Sequence, residues 1–226
     1  MSKQIEVMGV ALNDDCVWEM LPVVDTYLNN SEMNFLVAVS MRMLVMAQQD
    51  PQIREILQSF DVALPGEAGI LAQAGITNNQ LKREIEDNSF FGEFMRMVQK
   101  QEKTVYLLGE TSMQCSELGI FIKRYYGQTR VVGECALNDW QDVAEVINRI
   151  NIAAPDVILS VIPSPRQELF IHQQKSMLHA KVWYGLNDTY KLRSGASALR
   201  AKASSILHHL NFKQLMANYN KEKQVK

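Results

Sequence analysis

"PDVILSVIPSPRQELFIHQQKSML", Pro155 to Leu178, holds the reading on which the fold turns. Its first part, "DVILSVI", is apolar at successive positions instead of alternate ones. A strand of that kind is covered on both faces, as in a parallel sheet flanked by helices. The run breaks at Pro163. Ser164 has the chemistry of an N-cap, Pro165 suits the first helical position, and Gln167 sits where a capping box takes Glu or Gln. A helical pattern follows. The stretch therefore predicts a strand that leaves a sheet and enters a helix at the sheet's carboxyl edge, where parallel α/β proteins bind ligands.

The same texture recurs on both sides of it. Further β-rich runs are "IEVMGV", "NFLVAV", "DVAL", "TVYLLG", "RVVGEC" and "KVWYGL". Between them lie helical patterns such as "CVWEMLPVVDTYL", "FFGEFMRMVQKQ", "SMQCSELGIFIKRYY" and "DWQDVAEVINRINIA", with Pro22 placed to start or kink the first. This alternation predicts an α/β domain whose mostly parallel sheet carries helices on both faces. With no repeat, low-complexity segment or Gly/Ser linker, one domain is expected over residues 1–195, followed by an appendage over 196–226.

The chain has 226 residues, 47% hydrophobic and 21% charged, with a net charge of -2. That balance suits a soluble globular protein and argues against one that coats nucleic acid. No apolar run reaches the roughly 18 residues of a membrane span. The first residues lack the apolar core of a secretion signal. Cys16, Cys115 and Cys135 are odd in number and widely spaced, which predicts three reduced thiols and no metal site of CxxC type. The appendage differs from the rest. Six basic residues against Glu222 give it a net +5, leaving -7 on the remainder. Leu199, Ala203, Ile206, Leu207 and Leu210 recur at helical spacing beside those charges. The stripe suits either a helix packed on the domain or one that meets an anionic membrane surface or a partner.

At the carboxyl edge, a helix entering after Ser164 offers free N–H groups and a positive dipole end to a phosphate. Arg166 adds a charge-assisted contact to a diphosphate, and Gln167 an amide for a base or sugar hydroxyl. Both are expected at the surface of the site. The same residues also suit a plain helix cap with solvated Arg166 and Glu168.

Pro165, Arg166, Gln167 and Glu168 match the PKQE motif of the WecG/TagA/CpsF glycosyltransferases, glycosyltransferase family 26, with Arg for Lys. "VMGVALNDD", the segment from "VAVSMRML" to "DVALPGEAGIL", the pair "TVYLLG" and "RVVGEC", and "KVWYGLNDTYKLRSGASALRA" resemble that family's segments in order and spacing, over roughly residues 5 to 202. The resemblance implies a Rossmann-like fold. It implies an inverting transferase that carries an N-acetylmannosamine-type sugar from a UDP-sugar donor to a polyprenyl-diphosphate-linked acceptor in cell-envelope polysaccharide synthesis. It implies no metal or other cofactor, and a C-terminal appendage that helps reach the membrane. The expected place is cytoplasmic, peripheral on the inner face of the cell membrane; a homo-oligomer is left open.

This sequence departs from the family pattern at the expected catalytic positions. The family's Asp, its suspected general base, is Gly66 here, with Glu67 one residue later. Its Thr and Asn after an early strand are Ala38 and Ser40. Its glycines before PKQE are Val161, Ile162 and Pro163. Glu67 or Asp188 is therefore the expected base, since a base must come within about 3 Å of the hydroxyl it deprotonates. Ser164, Arg166, Gln167, Glu168 and Arg83 are the expected substrate contacts, with Gly109 of "LLG" and Gly185 of "GLND" beside them. His172 reads as a surface histidine. His208 and His209 are adjacent, so they do not face one metal. "EIED" at 84–87 reads as a solvated turn. The alternative is a catalytically silent homologue that binds a nucleotide sugar or acts as a scaffold in the same pathway. A nicotinamide oxidoreductase is disfavoured, because no GxGxxG follows the first strand.

Overall fold

The computed structural model describes residues 3–186. Eight strands and nine α-helices alternate through them. The central sheet has six strands: β3 (Asn34–Val39), β4 (Val62–Pro65), β5 (Thr104–Gly109), β6 (Arg130–Ala136), β7 (Val157–Ser160) and β8 (Val182–Gly185). Their spatial order is β4-β3-β8-β7-β5-β6, and every neighbouring pair is parallel. This is the doubly covered, Rossmann-like architecture expected.

Strand residues divide by parity between two cores. Phe35, Val37, Ile158 and Trp183 face one; Leu36, Val157, Leu159 and Tyr184 face the other. The first core packs under α2 (Met41–Gln49), α3 (Pro51–Gln58), α8 (Val143–Ala153) and α9 (Arg166–Gln174). The second packs under α1 (Val17–Asn29), α6 (Ser89–Lys100) and α7 (Ser112–Tyr125). Burial on both faces is why these runs read as continuously apolar. Two shorter helices, α4 (Ala68–Gln73) and α5 (Asn79–Glu86), link β4 to α6. Among the described residues, no helix is long and apolar enough to cross a membrane.

Three expectations are corrected. "IEVMGV" is not a strand of the parallel sheet. It forms a separate hairpin of β1 (Gln4–Val7) and β2 (Val10–Asn13), turning at Met8 and Gly9 with φ of 53° and 78°. Positive φ at both central residues gives the twist that a two-residue hairpin needs. Its Asn13 side chain accepts the Ala63 N–H at 3.0 Å, so the hairpin covers the outer edge of β4. Second, Pro22 lies inside α1 and does not start it; Cys16 is the N-cap. Third, "EIED" is not a solvated turn. Residues 84–86 end α5, and Glu84 Oε2 accepts the Val17 N–H at 2.9 Å at the start of α1. The expected appendage, with His208, His209 and the basic stripe, lies outside the described residues. Asp188 does too.

Candidate active site at the carboxyl edge of the sheet

All six strands end on the same side of the sheet, and backbone bonds carry the register past their ends. Val161 N donates to Leu108 O, Leu186 N to Ser160 O, and Gly66 N to Val39 O, at 2.7–2.8 Å. Ser160 pairs with Gly185 on one side and Leu108 on the other. The edge therefore presents, in order, Gly66 and Glu67 after β4, Ser40 after β3, Leu186 after β8, the 161–168 segment after β7, Glu110 after β5 and Asn138 beyond β6.

The segment after β7 departs from its expected cap. The helix starts at Arg166, not at Pro165, and Ser164 caps no backbone group. Its hydroxyl donates instead to Glu168 Oε1 at 2.8 Å. Neither Gln167 nor Glu168 is a surface residue; they are 2% and 0% exposed. For Gln167 the reason is Gly185. A methyl built there would lie 2.6 Å from Gln167 Nε2 and 3.0 Å from its Cδ, so the amide fills the space a side chain on β8 would take. Burial pushes the Glu168 carboxyl above the usual carboxylate range, against the opposing effect of the hydrogen bond from Ser164. Gln167 Oε1 and Glu168 Oε2 have no hydrogen-bond partner among the described residues. A buried acceptor without a donor costs about 1–3 kcal/mol.

Arg166 is half-exposed but not free. Its Nη1 donates to Glu110 Oε1 and to Asn138 Oδ1, each at 2.7 Å. One guanidinium thus ties together the carboxyl ends of β7, β5 and β6. Gly109 serves the turn into α7: a Cβ there would lie 2.9 Å from Cys115 Sγ and 3.2 Å from the Thr111 carbonyl. Glu67 is half-buried and is the N-cap residue of α4. Its Oε1 accepts the Met41 N–H at 3.0 Å, at the N-terminus of α2. Three strand spacings, about 14 Å, separate the β4 end from the β7 end. Arg83 is exposed on α5, and His172 is exposed on α9, as expected.

A small cavity of about 40 Å³ opens beside the β4, β3 and β8 ends. It is lined by Asp15, Ala38, Gly66, Glu84, Asn88 and Tyr184, among others. Asp15, Glu84 and Asn138 had no local sequence signal as site residues, because each is brought in by a distant element, while Glu110 directly follows the expected Gly109. The three cysteines carry free thiols, Cys115 and Cys135 buried and Cys16 half-buried. Among the described residues no cluster of His, Cys, Asp and Glu is arranged to hold a metal ion.

Residues 5–216 match the Glycosyl transferase WecG/TagA/CpsF family. The chain belongs to that family. Its relatives within it include the N-acetylglucosaminyldiphosphoundecaprenol N-acetyl-beta-D-mannosaminyltransferase of Bacillus spizizenii, 25% identical over 189 residues, covering 83% of this chain and 72% of the relative. The Bacillus subtilis protein of the same name is 26% identical over 151 residues, 66% of this chain and 58% of the relative. The Staphylococcus aureus (strain MRSA252) protein of that name is 20% identical over 210 residues, 92% and 81%. The WecG/TagA/CpsF match runs on from β1 past β8 to residue 216, so it takes in the whole carboxyl edge.

Proposed function

We propose that this family member transfers an N-acetylmannosamine-type sugar from a UDP-sugar to a polyprenyl-diphosphate-linked N-acetylglucosaminyl acceptor, inverting the anomeric centre. The observation that carries the proposal is the half-exposed Arg166 guanidinium, set beside the buried pair Gln167 and Glu168 at the carboxyl edge of a sheet with this family's order of segments. Ser164 and Gly185 hold the pair in place, Ser164 by its bond to Glu168 and Gly185 by leaving room for Gln167. Arg166 meets the diphosphate by exchanging Glu110 for it. An exposed ion pair is worth about 0–1 kcal/mol, so the exchange costs little. Arg83 supplies a further cation, and Gly109 keeps the β5–α7 turn tight beneath Arg166's partner Glu110.

In the reaction, a base removes the acceptor hydroxyl's proton as its oxygen bonds the anomeric carbon, and the bond to UDP breaks on the opposite face. Glu67 and Asp188 are the proposed bases. Glu67 would have to release the Met41 N–H to act, which is the observation that favours a second reading. In that reading the chain binds the nucleotide sugar without turning it over. The basic appendage holds the protein at the inner face of the membrane, where the acceptor's lipid lies.

Calorimetry with UDP and UDP-N-acetylmannosamine, paired with a transfer assay on N-acetylglucosaminyl-diphospho-undecaprenol, tests both readings. Binding with turnover that Glu67→Gln or Asp188→Asn abolishes is the expected result. Binding without turnover selects the silent reading, and absence of both overturns the proposal.

A further inference from the structure

A second cavity lies between α6 and the carboxyl end of α7. It holds about 280 Å³ and is lined by Ser89, Gly92, Glu93, Arg96, Gln99, Tyr125 and Tyr126. No residue is shared with the cavity lined by Asp15 and Glu84. Three features bear on what it would take.

The first is charge. Arg96 and Glu93 form an ion pair with each other, and no other lining residue is ionised at neutral pH. The lining is neutral in sum, which suits a neutral ligand better than a phosphate or a cation. The second is its chemistry. An exposed tyrosine, Tyr125, and the buried Tyr126 stand beside a hydroxyl and a carboxamide, Ser89 and Gln99, together with the Arg96–Glu93 pair. Aromatic area next to planar polar groups recognises the apolar face and the hydroxyl edge of a pyranose ring. Tyr125 is 38% exposed, and its ring is braced by Phe121 at 5.0 Å and by the Arg124 guanidinium at 5.5 Å. The third is Gly92. Glycine is among the costliest residues in a helix interior, and Gly92 is three residues inside α6. Packing does not require it. Among the described residues, a methyl there would meet, outside the helix's own backbone, only the Tyr126 hydroxyl, at an ordinary 3.8 Å. The glycine leaves open space on the wall of the cavity.

We propose that this cavity is a second carbohydrate subsite, which takes a neutral pyranose such as an N-acetylhexosamine. Tyr125 provides its exposed aromatic surface, and Tyr126 is the buried floor behind it, packed on Phe91 and Phe121. Ser89, Glu93, Arg96 and the carbonyl of Gln99, whose amide nitrogen donates to Thr129, bond the ring hydroxyls. It shares no lining residue with the carboxyl-edge cavity and does not depend on whether the transfer site turns over.

The test is saturation-transfer NMR of N-acetylglucosamine on the full chain, with inorganic phosphate as competitor. Transfer to the sugar is expected from the parent and from Gln167→Ala. The signal should weaken about five- to tenfold in Tyr125→Ala, the scale of one aromatic contact, and in Gly92→Leu, which fills the space. Tyr125→Ala alters an exposed side chain, so it keeps the test sound even where Gly92→Leu does not fold. Four outcomes overturn the proposal: no transfer from the parent, transfer undiminished in Tyr125→Ala, transfer lost in Gln167→Ala, or displacement by phosphate.

Discussion

Gly185 and Gln167 share one volume, and that sharing sets what each substitution does. Gly185→Ala would place a methyl 2.6 Å from the Gln167 amide nitrogen in a site with no spare room. Overpacking of this kind costs about 1–3 kcal/mol. Gln167→Ala, which removes a buried side chain and not a surface one, should cost about 1–2 kcal/mol. The double variant should lose less than the sum by about 1 kcal/mol, because the methyl then enters the space the amide left. Urea unfolding of the four proteins measures that coupling. Glu168 gives a pH prediction. Its folded carboxyl titrates above the unfolded value because burial disfavours the charge. Below the unfolded pKa both states are protonated and the group costs nothing. As pH rises above that value, the folded state holds the proton longer, so stability falls until the folded pKa is passed. Glu168→Gln cannot titrate. The variant's melting temperature relative to the parent's should therefore climb from pH 4 to pH 7; a flat or falling difference would contradict the burial argument. These residues were legible as a site from the PRQE motif, but not as buried ones. What buries Gln167 is a glycine eighteen residues away on the neighbouring strand, and no local pattern carries that.

At the scale of elements, the helix and strand types follow their sequence periods, while two irregular pieces answer to their neighbours. Met8 takes a left-handed backbone although its side chain is 1% exposed in the first core. The turn thus uses a residue that core packing wants and turn chemistry does not. Gly9, at φ 78°, carries the conformational demand. Gly9→Ala should cost about 1 kcal/mol in chemical denaturation. In α6 the sign reverses. Gly92→Ala meets only ordinary contact, so it should stabilise the chain by about 1 kcal/mol. The edge strand β6 carries an extra residue, Val132, between the Val105–Val131 and Tyr106–Gly133 pairs, with exposed Arg130 and Glu134 on either side. A bulge and charges blunt an edge against pairing with another sheet. The opposite edge, at β4, is covered by the hairpin.

Over the whole molecule, charge is divided. The net +5 of residues 196–226 stands against -7 on the remainder. Basic residues contribute about 1 kcal/mol each at an anionic surface before screening. Full-length protein should therefore co-sediment with anionic vesicles at low salt and release as salt rises. A version ending at Gly195 should stay in solution. Equal, negligible sedimentation of both would exclude a membrane role for the appendage.

The sequence by itself determined the α/β class, the parallel sheet and the PRQE segment's place at its carboxyl edge. Each of these is written in local periodicity: consecutive apolar residues for doubly covered strands, helical spacing between them, and a proline break after β7. Only the tertiary structure decided that "IEVMGV" folds back as a hairpin, that Glu84 holds the start of α1, and that Glu67 holds the start of α2. It alone decided that Arg166 clasps Glu110 and Asn138. The physical reason is common to all four. A strand that leaves the sheet and a carboxylate or guanidinium that finds its partner are choices among distant groups. Their free energies depend on which chain ends the fold brings to one edge, and sequence spacing does not encode that.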